Sequence, residues 1–343
     1  MSFLSTLHAA RHEPLGRERR RLAAATALLA GLVTLALPAP ALAQAWPTKP
    51  VTLVVPYPPG GATDIVGRIL AKALSQRLGQ PVVVENKAGA GTAIGAGQVA
   101  QAAPDGYTLL ISSNTTFTVN PALKSKLPYD PLASFESIGT IGSSPLVLLA
   151  HPALPAHNVQ ELVALAKAQP GKLSFGSFGN GTTSHFAGEM FKVMTGAAIV
   201  HVPYKGSAPA MQDLIGGQIQ LAFDTNVASI PQVRAGKVKA LAVTSLKASP
   251  TMPGVPPVAE AGYPGYEMVP WIVVVAPRGL PAPARSALTR AFAASLSDAE
   301  TRAELVKVGV DVQPEPPAAY ERRVTEELPK LRLYVHKAGL TVE

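Results

Sequence analysis

Val54-Val55-Pro56-Tyr57-Pro58-Pro59-Gly60-Gly61-Ala62-Thr63-Asp64 is the stretch on which the reading of this chain turns. The apolar run 51–55 reads as a buried strand. After the stretch, Ile65, Val66, Ile69, Leu70, Ala73, Leu74 and Leu78 recur on one side of a helix that starts at Thr63 or Asp64. Between strand and helix lies a stiff turn with three prolines and two glycines. It leaves backbone N–H groups facing outward beside the positive end of a helix. A turn of this kind holds an anionic group without a charged side chain.

Downstream the same alternation continues. Strands are expected at 81–85 and 107–112, with a short helix at 92–103 between them, so the opening predicts a mostly parallel sheet with helices on both faces. The segment 113–136 is polar and turn-rich. An apolar strand at 144–150 carries the chain into a second lobe, where Asn158 caps a helix running to Lys167. The strand 173–177 then runs into Phe178-Gly179-Asn180-Gly181-Thr182-Thr183-Ser184-His185 and a helix, repeating the opening design. Further strands are expected at 199–202, 219–224 and 239–244. An extended segment at 266–275 crosses back, and helices at 282–296, 298–308 and 317–336 pack on the first lobe. The architecture is two α/β lobes joined by two crossings around a cleft, with lobe 1 formed by 44–146 plus 273–343 and lobe 2 by 147–272.

The first segment stands apart. Five arginines before Leu22, an apolar stretch to about Leu37, Pro38 and Pro40, then Ala41, Ala43 and Ala45 give the three regions of an export signal. It covers 1–43, with cleavage near Ala43 or Ala45, and predicts a periplasmic protein. The whole chain of 343 residues carries a formal charge of +8, and the part after residue 43 about +5. That mild balance, with no basic run, argues against a nucleic-acid partner. The absence of cysteine excludes disulfides and thiolate chemistry.

Enzyme motifs fail on detail. Gly89 to Gly95 clusters glycines after the second strand without an acidic ribose partner, and Gly60-Gly61-Ala62-Thr63-Asp64 lacks a phosphate-loop lysine. No Gly-x-Ser-x-Gly elbow is present, although Ser177, Ser184, His185 and Asp224 leave a hydrolase triad open on paper. The histidines have no metal-ligand spacing, and neither metal nor cofactor is expected. Reversible binding suits the polar residues better. Tyr57, Pro59, Gly60, Gly61, Ala62, Thr63 and Asp64 form one candidate loop. Ser177, Gly179, Asn180, Gly181, Thr182, Thr183 and His185 form a facing one. Asp64 either caps its helix or joins the site. His185 either orients its loop or donates to an anion. Asp224, at a strand end, either takes a ligand ammonium or hydroxyl or braces the cleft. Two opposed helix N-termini clasp a carboxylate at little cost in buried charge.

Residues 46 to about 340 resemble the substrate-binding proteins of tripartite tricarboxylate transporters, the Bug/TctC family. The resemblance rests on Trp46-Pro47-Thr48-Lys49-Pro50, Val55-Pro56-Tyr57-Pro58-Pro59-Gly60-Gly61, Val84-Glu85-Asn86-Lys87-Ala88-Gly89-Ala90-Gly91, Ala103-Pro104-Asp105-Gly106-Tyr107-Thr108, Pro128-Tyr129-Asp130-Pro131, His201-Val202-Pro203-Tyr204-Lys205-Gly206 and Leu241-Ala242-Val243-Thr244. It implies a type II-like periplasmic binding protein, not an enzyme, that closes on a small carboxylate through the two glycine loops. It also implies presentation to the large and small membrane subunits of a tripartite carboxylate transporter, or to a sensor that feeds a signalling receptor. Asp224 matches a position that meets a ligand amino group in some relatives. Two departures stand out. Thr92 takes a place where the family has glycine, and Ile272-Val273-Val274-Val275 is unusually apolar, which implies a drier cleft suited to an aromatic or less charged acid.

Overall fold

The structure is a computed structural model that describes residues 46–340. The expected export signal and its cleavage position lie outside the described residues. The first lobe opens with β1 (Val51–Val55), α1 (Ala62–Leu78), β2 (Val82–Asn86), α2 (Ala93–Ala100) and β3 (Thr108–Ser113). A wide turn at Thr115–Val119, the one-turn α3 (Asn120–Leu123) and β4 (Phe135–Ser143) follow. The second lobe contains β5 (Leu146–Ala150), α4 (Val159–Ala168), β6 (Leu173–Ser177), α5 (Thr183–Thr195), β7 (Ile199–Pro203), α6 (Ser207–Ile215), β8 (Leu221–Thr225), α7 (Asn226–Arg234) and β9 (Lys239–Val243). The chain returns through β10 (Trp271–Pro277), α8 (Ala282–Ser297), α9 (Ala299–Lys307), β11 (Asp311–Glu315) and α10 (Ala318–Ala338). Among the described residues no helix is long and apolar enough to cross a membrane.

Two sheets result, ordered β11-β4-β10-β3-β1-β2 and β7-β6-β8-β5-β9. As the opening alternation predicts, β1 lies parallel to β2 and β3, flanked on both edges and almost wholly buried. The remainder of the first sheet departs from the mostly parallel expectation. Here β10 runs antiparallel to β3 and β4, and β11 antiparallel to β4. The reason is connectivity: β10 arrives from the other lobe rather than through a crossover helix on its own sheet, so nothing constrains it to run parallel. The second sheet is mixed in the same way. Its β6 is parallel to β7 and β8, and the incoming β5 is antiparallel to β8 and β9.

The last helix also differs from expectation. Its first turns seat Tyr320 and Val324 in the first lobe's core, with Tyr320 edge-on to Phe117 at 5.1 Å between ring centroids. Its later turns place Leu331, Tyr334 and Val335 against the second lobe's core, and Tyr334 lies 5.2 Å from Phe186. With 21 residues and a rise of about 1.5 Å per residue, α10 spans roughly 31 Å, which is enough to straddle both lobes rather than pack on one.

Close approach of α5 to its sheet depends on one glycine. A Cβ added at Gly188 would lie 2.0 Å from Phe175 Cε2, and Phe175 is wholly buried between Phe223 and His201. Gly188→Ala is therefore expected to overpack this interface and destabilise the protein by about 1–3 kcal/mol. Urea unfolding of wild type and variant, compared at unchanged m-value, checks this.

Candidate ligand cleft

The loop after β1 is held from behind. Gly60 adopts φ +79°, which favours glycine, and Gly61 is an N-cap with no side chain to satisfy the first turn of α1. The N–H groups of Ala62 and Thr63 thus have no intrahelical carbonyl. Asp64 is buried and points away from them. It accepts from Gly60 N–H at 2.9 Å, Arg68 Nε at 3.0 Å and Asn86 Nδ2 at 3.0 Å, and Asn86 also donates to the Tyr57 carbonyl at 3.0 Å. Burial raises the Asp64 carboxyl, but the bonds from Arg68, Gly60 and Asn86 outweigh it and hold the group below its usual range. Asp64 takes neither role open to it in the sequence: Gly61, not Asp64, is the cap of α1, and the carboxylate lines no cavity wall. It is a brace that fixes the backbone of the loop and leaves the helix N–H groups free.

The facing loop is braced by other means. Thr182 caps α5 by accepting from His185 N–H and donates to the Gly179 carbonyl at 2.8 Å. His185 Nδ1 accepts from Gly181 N–H at 3.3 Å, and its ring stacks on His201 at 4.1 Å. His201 Nε2 lies 2.6 Å from Ser177 Oγ, which in turn accepts from Gly179 N–H. Burial lowers the pKa of both imidazoles. It pushes His201 down to about 3, with further help from His185, so the pair is neutral. The hydrolase constellation left open by the sequence is not assembled. Ser177 pairs with His201 instead of His185, Ser184 donates to the Phe223 carbonyl, and Asp224 bonds Ser207 and Thr225. Among the described residues no three His, Cys, Asp or Glu side chains group as metal ligands.

Between the lobes lies a cavity of about 50 Å³. The first lobe lines it with Tyr57, Pro58, Pro59, Gly61, Ala62, Thr63, Ser113 and Thr115. The crossings contribute Ser144, Pro270 and Ile272, and the second lobe Phe178, Thr183, Gly206–Pro209 and Thr225. Four helices begin at this wall: α1 at Ala62, α5 at Thr183, α6 at Ser207 and α7 just after its cap Thr225. No lysine, arginine, histidine or carboxylate lines it. What the wall offers an anion is therefore the positive ends of helices, an arrangement suited to a small anion with an apolar body. Ser144 Oγ is buried, lines the cavity and has no hydrogen-bond partner within the protein.

The lobes meet across this cavity. Thr183 N–H donates to Thr115 Oγ1 at 3.0 Å, the two hydroxyls lie 2.6 Å apart, and Thr183 Oγ1 donates to Asn114 Oδ1 at 3.1 Å. A second seam joins Ser249 and Thr251 to Asp311 at 3.3 and 3.2 Å.

The residues expected from sequence separate into three groups. Tyr57, Pro59, Gly61, Ala62, Thr63 and Thr183 line the cavity. Gly179, Asn180, Thr182 and His185 line a wider groove next to it, which shares Tyr57, Pro58, Phe178 and Gly206 with the cavity. Gly60, Asp64, Ser177, Gly181 and Asp224 line neither and act from behind the walls. Asp224, at the end of β8, accepts from Ser207 Oγ at 2.6 Å and Thr225 N–H at 2.8 Å, and burial pushes its carboxyl up to about 7. Of the apolar run 272–275, Ile272 lines the cavity, while Val273, Val274 and Val275 are buried in the sheet away from it. Sequence reasoning missed Ser113, Thr115, Ser144, Gly206–Pro209, Thr225 and Pro270. The run Ser112-Ser113-Asn114-Thr115-Thr116 directly after an apolar strand was the available signal, since five consecutive small polar residues there have no use in a sheet core.

Thr92 keeps φ +82°. Its hydroxyl accepts from Thr116 Oγ1 at 2.8 Å and from Asn120 Nδ2 at 3.2 Å. These bonds offset backbone strain that a β-branched residue incurs in this region.

Known proteins bear on this geometry. The profile of the tripartite tricarboxylate transporter family receptor matches residues 66–340. Protein BugT of Bordetella pertussis is 41% identical over 249 residues, covering 72% of this chain and 76% of the relative. The solved periplasmic binding protein BugD is 39% identical with a TM-score of 0.83, covering 87% of this chain and 100% of that one. Rpa4515 of R. palustris, solved with adipate, is 37% identical with a TM-score of 0.83, covering 86% of this chain and 99% of that one. The two-lobed α/β fold is thus that of periplasmic binding proteins, and this chain belongs to the tripartite tricarboxylate transporter receptor family.

Proposed function

We propose that this chain captures a small carboxylate between its lobes in the periplasm and presents it, unchanged, to the membrane subunits of a tripartite carboxylate transporter. The observation that carries the reading is the cavity walled by four helix N-termini and free of charged side chains. Such a wall stabilises an anion through its helix dipoles and the N–H donors that remain open, since Thr183 N–H at α5 and Asn226 N–H at α7 are bonded to Thr115 and Pro145, and it asks for no counter-ion inside the protein. The adipate complex of a relative supports the ligand class. Pro58, Pro59, Phe178, Pro209, Pro270 and Ile272 give the rest of the cavity an apolar lining, which favours an acid with an aliphatic or aromatic body. Closure follows from differential contact. The ligand touches both lobes only when Thr183 of one lies against Asn114 and Thr115 of the other, so it shifts the population toward the closed form.

Thermal melting of the processed protein, refolded free of ligand, against adipate, succinate, citrate, glutamate, nicotinate and benzoate tests the reading. A binder of the native state alone at a hundredfold its Kd adds about 2.7 kcal/mol and raises the midpoint accordingly. A folded, empty sample that shifts with none of these acids sinks the carboxylate assignment.

Ser144→Ala is expected to weaken carboxylate binding about fivefold, by removing a donor worth roughly 1 kcal/mol. The melting point of the empty protein should stay unchanged, because Ser144 Oγ bonds nothing within it. Thr183→Val removes the hydroxyl that donates to Asn114 Oδ1 and meets the Thr115 hydroxyl in the closed form, while the Thr183 N–H bond to Thr115 stays. It should weaken binding about tenfold, at roughly 1–2 kcal/mol, mainly through faster dissociation in stopped-flow measurements.

A further inference from the structure

We infer that the cleft takes up one proton together with its ligand, at the Asp224–Ser207 pair, so that carboxylate capture is proton-coupled. The inference rests on the carboxylate reading above and adds to it a group that does not touch the ligand.

Asp224 is 1% exposed. It stands one side chain away from the cavity, because both of its hydrogen-bond donors, Ser207 Oγ and Thr225 N–H, belong to residues that line the wall. No cation offsets it. The titratable groups on the surrounding elements are His185, Glu189 and Lys192 of α5, His201 of β7, Asp213 of α6, Arg234 of α7 and Lys239 of β9, and β5 and β6 carry none. Glu189 is paired with Lys192, Asp213 accepts from Tyr204, Lys239 donates to the Leu154 carbonyl, and the imidazoles stack on each other behind Ser177. Among the described residues none of these reaches Asp224, whose side chain accepts only from Ser207 and Thr225. On the cavity side the nearest titratable lining group is the Tyr57 phenol, which bonds Ser113 at 2.9 Å.

Ser207 has one proton to give. With Asp224 ionised, that proton goes to Oδ2 and the hydroxyl turns only lone pairs toward the cavity. A carboxylate ligand then meets a lone pair backed by a buried negative charge, both repulsive in a medium of low dielectric. With Asp224 protonated, the carboxyl donates to Ser207 Oγ and the serine proton is free to point at the ligand. The wall gains a donor and loses a charge. A ligand's own charge disfavours ionisation of Asp224 further, so the complex holds the proton more tightly than the empty cleft does, and the proton comes from solvent.

The sign follows from that difference. Burial already sets the empty carboxyl near about 7, while a ligand carboxyl, with an ordinary pKa of about 4.3, stays ionised. Affinity is greatest below the pKa of the empty form. It falls by up to about tenfold per pH unit as pH rises between the empty and bound values, and levels off above the bound value.

Isothermal titration of the processed wild-type protein tests this, using whichever acid of the panel above binds most tightly. The titration is run in phosphate and in Tris between about pH 5.5 and 8.5. The two buffers differ in ionisation enthalpy, so the difference in heat counts protons. The expected result is uptake approaching one proton per ligand just above neutrality, with affinity at about pH 6 at least tenfold above that at about pH 8.5. Asp224→Asn should abolish the uptake and flatten the pH profile, and Ser207→Ala should lose about tenfold in affinity near pH 6. Binding with no uptake by wild type, or binding that tightens as pH rises because a ligand ammonium pairs with ionised Asp224, overturns the inference while leaving the carboxylate reading intact. No binding of any acid at any pH overturns both. Should Asp224→Asn fail to fold, the proton count and pH profile of the wild type are enough to separate these outcomes.

Discussion

Peptide dipoles are the field that the wall of this cleft presents, and much of the surrounding architecture holds them in place. Four helices drawn from both lobes start at one small cavity whose lining carries no charged side chain. A lysine or arginine in that wall would need its own desolvation met in the empty state and would remain mobile on a long stem. Helix termini are already fixed by their helices, so the field is in place before the ligand arrives and needs no reorganisation to act. The requirement that follows is positional: each terminus must stay aimed at one small volume.

The braces behind the loops meet that requirement with different chemistry in each lobe. In the first, a carboxylate does it. Asp64 gathers Gly60, Arg68 and Asn86, and Asn86 in turn holds the Tyr57 carbonyl. In the second, two neutral rings do it, with His185 accepting from Gly181 N–H and His201 bonded to Ser177 Oγ. Charge is kept on the outer side of the first loop, where Arg68 is half exposed and answers it. Behind the second loop, buried Glu189 lies 4.0 Å from His185 and is answered by Lys192. Asp224, buried behind the second lobe's wall, has no such cation to answer it.

Local patterns carried much of this into the sequence. Strand, proline-glycine turn and helix start at 51–78 are all decided by residues within a few positions of one another, and the repeat of that design at 173–195 is equally local. Two strands escaped notice because breakers interrupt their alternation. β4 has Gly139 and Gly142 among its inward positions, and β11 contains Pro314, tolerable because it lies on a sheet edge. The mostly parallel expectation failed for strands whose direction is set by travel between lobes, which no window of sequence records. The site divided along the same line. Residues beside a helix start were legible, whereas Ser144 and Pro270 reach the cavity only because two crossings run side by side there, joined by the Ser144 N–H bond to the Pro270 carbonyl. Likewise, nothing in the spacing of His185 and His201 announces that the two rings stack.

The final helix ties the two cores together in a way that bears on how far they can part. Val324 is seated in one core and Leu331 against the other, and Pro329 falls between them. Proline has no N–H to return to the carbonyl four residues earlier, so the ladder lacks a rung at Thr325 in that interval. A rod clamped at both ends and notched in the middle bends at the notch. The one helix that touches both cores is thus weakest in the stretch between its two anchors, so its stiffness as a tie is set there and not along its whole length.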